Sequence, residues 1–217
     1  MFHEIVLCDF EFQIGNGERP MPVCLVAHEL RSGRRFRLMR EELGPAPPYA
    51  TGKDVLWVAF HASSELGCYR VLGWPMPERI LDLFVEFRDR TNGLPTPAGN
   101  SLLGALAFFG LDGIGTTEKK EMQTAIGTGT WQDQHTPEEI LDYCQSDVEA
   151  LARLLPVMWP KIDLPRGLLR GRYMAAASAI EHNGVPVDVP MLDHLRTGWI
   201  GIQDRLIADI EIGRAHV

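Results

Sequence analysis

Ile5-Val6-Leu7-Cys8-Asp9-Phe10-Glu11-Phe12 is the stretch from which the fold is read. Its first half is a short apolar run with the character of a strand buried on both faces, and it ends by setting two carboxylates two residues apart. Successive strand side chains point to opposite faces, so Asp9 and Glu11 emerge on the same one. Two like charges at the rim of a core repel each other and lose hydration, which is tolerable mainly when a cation sits between them. Half of a metal site is therefore one reading. An ordinary strand end with its acids in solvent is the other, and the D-x-E spacing alone favours it. The rest of the chain has to decide.

After this strand, Gln13 to Met21 is a polar, glycine-containing turn, and Pro22–Leu30 and Arg34–Arg40 are two further strands joined by Arg31-Ser32-Gly33. This makes a three-strand meander. Asp54–Phe60 is a fourth strand, apolar enough to be central, and a helix follows from Ser63 to Gly73. Ile80–Leu83 forms a short fifth strand carrying Asp82 and leads into a helix over Phe84–Arg90. Ser101–Leu111 is an apolar helix, whereas the glycine-containing, charged stretch Asp112–Gln134 is expected as loop or short irregular helix. Thr136-Pro137-Glu138-Glu139 is a capping box with proline at the first helical position, and Cys144, Val148, Leu151 and Leu155 continue that helix until Pro160. The order predicts an α/β protein with a mixed five-stranded sheet flanked by helices.

Composition narrows the function classes. The chain has 217 residues, 45% of them hydrophobic and 23% charged, which excludes disordered and fibrous classes. No window is long and apolar enough for a bilayer span, and the start lacks a signal peptide, so a cytoplasmic protein is expected. Cys8, Cys24, Cys68 and Cys144 are widely spaced and expected to be reduced. A net charge of -8 opposes phosphate binding unless positive charge is local or supplied by metals. An acidic, metal-dependent site fits that balance.

Two more acids sit where composition would not choose them. Glu65 follows the central fourth strand in Phe60-His61-Ala62-Ser63-Ser64-Glu65, and Tyr143 and Asp147, four apart, share a helix face beside the apolar stripe. With D-x-E first, an acid after the fourth strand and Y-x-x-x-D in a late helix, residues 1 to about 160 resemble the 3′-5′ exonucleases of the DnaQ-like superfamily, tyrosine subclass. The resemblance implies a ribonuclease-H-like fold, an exonuclease domain over residues 1–163, and a pair of Mg²⁺ or Mn²⁺ ions. It also implies roles: Asp9 would bridge both ions, Glu11 and Asp147 would complete one ion site, Glu65 would serve the second, and Tyr143 would orient the attacking water. Hard divalent ions and carboxylate oxygens suit this chemistry. The family usually has Asn and Asp where this chain has His61 and Glu65. Asp82 is the alternative to Glu65, although the family commonly uses an Asp in that strand structurally. His61 is read as a satisfied histidine at a strand end rather than a metal ligand.

Other features have two readings. Arg31, Arg34, Arg35, Arg37 and Arg40 form a basic meander, either a phosphate-contacting face or solvated edge charges. Lys119 and Lys120 could touch a nucleic-acid backbone, and Phe10 and Phe12 could stack on a terminal base or pack in the core. Residues 164–210 read as two helices, Arg166–Asn183 closed by Gly184 and a second capped by Asp188. The run from Ala179 to Asp188 is similar to the segment by which family A DNA polymerases leave the exonuclease and enter the polymerase domain. That similarity implies a proofreading exonuclease acting on single-stranded or frayed DNA 3′ ends, with a polymerase domain missing in cis. Residues 211–217 resemble a translated sequencing adapter. Two alternatives stand beside proofreading: a ribonuclease D-like RNA exonuclease, and a catalytically weak DNA-binding or scaffold module.

Overall fold

A computed structural model describes residues 2–14, 19–112 and 116–210, with side chains throughout except at 116–120. The chain divides into two compact units, Met1–Asn183 and Gly184–Val217.

The first unit is built on one sheet. β1 (Glu4–Ile14), β2 (Pro20–Glu29), β3 (Arg35–Met39), β4 (Val55–Ala59) and β5 (Ile80–Asp82) lie in the order β3-β2-β1-β4-β5. β1 pairs antiparallel with β2 and parallel with β4, so it is the central strand at which the sheet changes direction. The helices are α1 (Ala62–Leu72), α2 (Leu83–Arg90), α3 (Leu102–Phe108), α4 (Thr116–Thr128), α5 (Trp131–Gln134), α6 (Pro137–Met158) and α7 (Leu164–Asn183).

Alternation along β1 divides the core in two. Leu7 faces a cluster with Leu106, Cys144, Val148 and Leu151, while Val6, Cys8 and Phe10 face another with Trp57, Leu66 and Tyr69. The first lies under α3 and α6 and the second under α1. Each buried leucine or aromatic contributes about 1.5–3 kcal/mol from removal of apolar surface from water.

α6 begins as its sequence dictates. The Thr136 side chain accepts the Glu139 N–H at 3.3 Å, and the Glu139 carboxylate accepts the Thr136 N–H at 2.7 Å. α7 packs on the unit through close backbone contact: a Cβ at Gly171 would stand 2.0 Å from the Ile80 carbonyl oxygen. Arg170 grips the buried Glu86 through two bonds of 2.7 and 2.6 Å, and Arg70 donates to Ser178 Oγ and the Ala175 carbonyl, both at 2.9 Å.

Two expectations change. The stretch Asp112–Gln134 is largely helical, forming α4 and α5, because its buried Ala125, Ile126 and Trp131 join the α6-side core. The basic meander is largely ion-paired rather than simply solvated: Arg34 meets Glu4 at 3.1 Å, Arg35 meets Glu149 at 3.0 Å, and Arg37 contacts Glu138 and Asp142. α6 thus supplies most of the acids that neutralise β3. The side chains of Lys119 and Lys120, and all of residues 211–217, lie outside the described residues.

In the second unit, α8 (Val189–Ile210) starts at Asp188, whose side chain accepts the Met191 N–H at 3.0 Å, and Gly184 adopts φ +68° as a helix-ending residue does. No helix among the described residues is long and apolar enough to cross a membrane.

Candidate active site

β1 outruns its parallel neighbour. Its pairing with β4 stops at Leu7↔Val58, while pairing with β2 continues through Asp9↔Val26, Phe10↔Leu25 and Glu11↔Cys24 to a bulge after Glu11. Beyond Leu7 the β4 side of the strand is open for a side chain to bind its backbone. Glu65, one turn into α1 and buried, fills that role: its Oε2 accepts the Phe10 N–H at 2.7 Å. Glu65 is thereby fixed against the strand that carries Asp9 and Glu11.

The electrostatics place the acids together. Burial pushes Glu65 well above the usual carboxylate range, and the charges of Asp9, Asp147 and Asp82 add to this against the one stabilising Phe10 N–H. Burial likewise raises Glu11, helped by Asp9, Cys24, Asp147 and Glu65. Tyr143 is raised above its ordinary value by burial and then by Glu11, Asp147 and Asp9, so its phenol keeps its proton. All five sequence-predicted residues, Asp9, Glu11, Glu65, Tyr143 and Asp147, therefore meet at one end of the sheet.

Asp82 is placed differently. Its Oδ1 accepts from His61 N at 3.0 Å, Phe84 N at 2.9 Å and Val85 N at 3.4 Å, and its Oδ2 accepts from Ala62 N at 2.8 Å. These bonds cap α2 and tie it to the start of α1, as an N-cap aspartate does. His61 has φ +71°, the left-handed region that a non-glycine residue enters only when its surroundings hold it there. The Asp82 bond to its N–H, a 2.9 Å contact from Nδ1 to Ser64 Oγ, and edge packing on Phe84 supply that hold. Phe10 is buried in the α1-side core, whereas Phe12 is only partly buried at its edge.

Sequence reasoning missed Cys144 as part of the site. Its Sγ donates to the Asp9 carbonyl at 3.4 Å and to Asp9 Oδ2 at 3.2 Å. Among the described residues, Asp9, Glu11 and Cys144 offer metal-ligand atoms within 4.8 Å of one another. Cys144 belongs to the apolar stripe of α6 and packs there, which disguises it. The available signal is its position, three residues before Asp147 and thus on the same helical face.

The donor set suits divalent cations. Buried acids that raise one another's pKa must hold protons or accept positive charge, and carboxylate oxygens are hard ligands that suit Mg²⁺ or Mn²⁺.

The sheet order and its flanking helices give a ribonuclease-H-like fold, and solved structures agree. Escherichia coli RNase D, described as an exoribonuclease involved in structured RNA processing, matches with a TM-score of 0.54 and 16% identity over 80% of this chain and 44% of that one. Trypanosoma brucei RNase D matches with a TM-score of 0.62 and 16% identity, covering 84% and 67%. The same enzyme in complex with RNA U12 gives a TM-score of 0.58 and 18% identity, covering 84% and 65%. This chain thus spans between 44% and 67% of the length of these neighbours. At such identity the likeness is one of fold. No family model and no curated protein matches the sequence.

Proposed function

We propose that this chain is a metal-dependent 3′-5′ exonuclease of the Asp-Glu-Asp-Asp type, with Glu65 in the third position, acting on the 3′ ends of single-stranded RNA. The observation that carries this is the convergence of Asp9, Glu11, Glu65, Asp147 and Tyr143 at the end of a ribonuclease-H-like sheet. RNA is favoured because the fold neighbours include an exoribonuclease and an RNase D in complex with RNA.

Asp9, Glu11, Glu65 and Asp147 would hold two divalent cations. Such ions, when bound, neutralise the acids, make hydroxide available near neutral pH and stabilise charge on the attacking and leaving oxygens. The chain's own groups do the rest. Cys144 holds Asp9 through its thiol hydrogen bond, and Phe10 N–H holds Glu65. Tyr143, with its proton retained, donates a hydrogen bond that orients the attacking water or the scissile phosphate. Water adds to phosphorus, the bond from phosphorus to the upstream 3′ oxygen breaks, and a nucleoside 5′-monophosphate leaves.

A second reading, DNA proofreading, draws on the sequence of Ala179–Asp188, which is similar to the segment by which family A DNA polymerases leave the exonuclease and enter the polymerase domain. Incubating the protein with 3′-labelled single-stranded RNA and DNA, with Mg²⁺, with Mn²⁺ or with chelator, separates the possibilities. Metal-dependent release of mononucleotides, faster from RNA and abolished in Asp9→Asn, is expected. Preference for DNA supports proofreading, and inactivity on both overturns the nuclease reading in favour of a binding or scaffold module.

A further inference from the structure

A cavity of about 220 Å³ lies away from the acids. It is formed by the end of α2, the junction between α6 and α7, and the first turns of α7, all within the first unit. Met158 on its wall is eleven residues beyond Asp147 in α6, about 16 Å along the helix axis. The proposed hydrolysis makes no use of it.

Its charge is opposite to that of the whole chain. Arg90, Lys161, Arg166 and Arg170 line it together with Glu86, Asp89 and Asp163, four cations against three acids in a protein of net charge -8. The acids are already engaged. The buried Glu86 carboxylate accepts from Arg170 Nε and Nη2 at 2.7 and 2.6 Å, and Asp89 lies 3.5 Å from the same guanidinium. Asp163 pairs with Arg166 at 3.2 Å and also accepts its N–H at 3.4 Å, near the start of α7. Two cations are left over. Neither Arg90 nor Lys161 has an ion pair with a described residue, and the Arg90 guanidinium is held over the Phe109 ring, 5.9 Å from its centroid.

Size and donor type select an occupant. The volume falls below the roughly 300–1,000 Å³ of ordinary small-molecule sites, so it is too small for a nucleotide and large enough for one phosphate group. Guanidinium forks match phosphate oxygens, and a lysine adds a point charge. Four cations gathered in one cavity repel one another, and a bound anion relieves that repulsion.

We propose that this cavity is a phosphate-oxyanion site, with Arg90 and Lys161 as its uncommitted cations and the Glu86 and Asp163 pairs fixing Arg170 and Arg166 beside them. The same chemistry accepts a phosphodiester of a bound strand, well away from the scissile bond, or free phosphate.

The test follows inorganic phosphate binding to the full chain by isothermal titration calorimetry, in chelator so that no metal at the acids holds the anion, and with chloride keeping ionic strength constant. Wild type is expected to bind one phosphate. Arg90→Gln/Lys161→Gln, which changes two exposed side chains and breaks no ion pair with a described residue, should weaken binding at least about tenfold. Asp89→Asn should tighten it about fivefold, the scale of one unit charge a few ångströms away in water. A set of purely structural ion pairs would show neither change. Asp9→Asn should bind phosphate as wild type does, which lets this site and the nuclease reading fail separately. Single-stranded RNA in Ca²⁺ then assigns the source. Weaker RNA binding by the double variant, with a salt slope reduced by about 0.7 for one lost phosphate contact, assigns a strand phosphodiester. RNA held equally by both proteins assigns free phosphate. Absence of phosphate binding to wild type, or equal binding by wild type and the double variant, overturns the site.

Discussion

Glu29 and Glu65 are both buried glutamates attached to the same sheet, and they are handled in opposite ways. At the β2–β3 turn, Glu29 accepts from Ile5 N, Arg31 N, Ser32 N and Ser32 Oγ at 2.5 to 3.1 Å. Burial alone would raise it, but these donors outweigh that and hold it at about 2. At the other region, Glu65 has the single Phe10 N–H and faces the charges of Asp9, Asp147 and Asp82, and it is pushed up. Asp82 shows the intermediate case: burial raises it, while four backbone N–H groups act in the other direction. A buried acid alone is therefore no sign of a site. An acid left with few donors among other acids is, because only a proton or a cation can settle it.

The largest effect is expected at Asp9. Asp9→Asn should lower metal-dependent mononucleotide release by at least about 10³-fold, while thermal melting shows a structure as stable as wild type or more so, since one charge of a repelling group is gone. A loss of folding in place of a loss of turnover would make the acids structural. Tyr143→Phe removes the retained phenol proton and should cost about 10²-fold in kcat with little change in KM, the expected scale for a lost positioning contact. Steady-state kinetics on a labelled strand decides this.

At the satisfied region the expected effects fall on stability. Glu29→Ala should lower unfolding free energy by about 2 kcal/mol at pH 7 in urea titrations, because it strips a charge-accepting partner from four donors. Its folded pKa of about 2 lies below the unfolded value near 4.3. The stabilisation is thus complete at neutral pH and is lost as pH falls from about 4.3 toward 2. Wild type and Glu29→Ala should therefore converge in stability at the acid end of that window, and a gap that persists below pH 2 contradicts the account. The smallest change is expected for Glu65→Asp, which shortens the reach to Phe10 N–H by one methylene and should alter turnover by no more than about tenfold.

Much of this was legible in the chain because it was written in local patterns. Alternation in Leu7 to Glu11 put the acids on one face, and the capping box at Thr136 fixed the start of α6 and hence the height of Tyr143 and Asp147. What stayed hidden depends on contacts distant in sequence. α4 and α5 carry weak apolar patterning and are recruited by burial of Ile126 and Trp131 against α6. Cys144 reads as one more core residue until β1 brings the Asp9 carboxylate to its sulfur. The separation of Asp82 from Glu65 as cap and site acid requires counting donors that come from two helices. The fit of α7, with Gly171 against the Ile80 carbonyl, leaves no local mark beyond a glycine in a helix.

On the proposed function, the acids at the end of β1 form a site shaped for divalent cations, and titrating Mn²⁺ into the metal-free protein while following thermal unfolding puts this to the proof. Saturable stabilisation is predicted, about 2.7 kcal/mol when the ion reaches a hundred times its dissociation constant, with the effect absent in Asp9→Asn and intact in Glu29→Ala. An unfolding temperature that ignores Mn²⁺, or one that rises equally in Asp9→Asn, would contradict it.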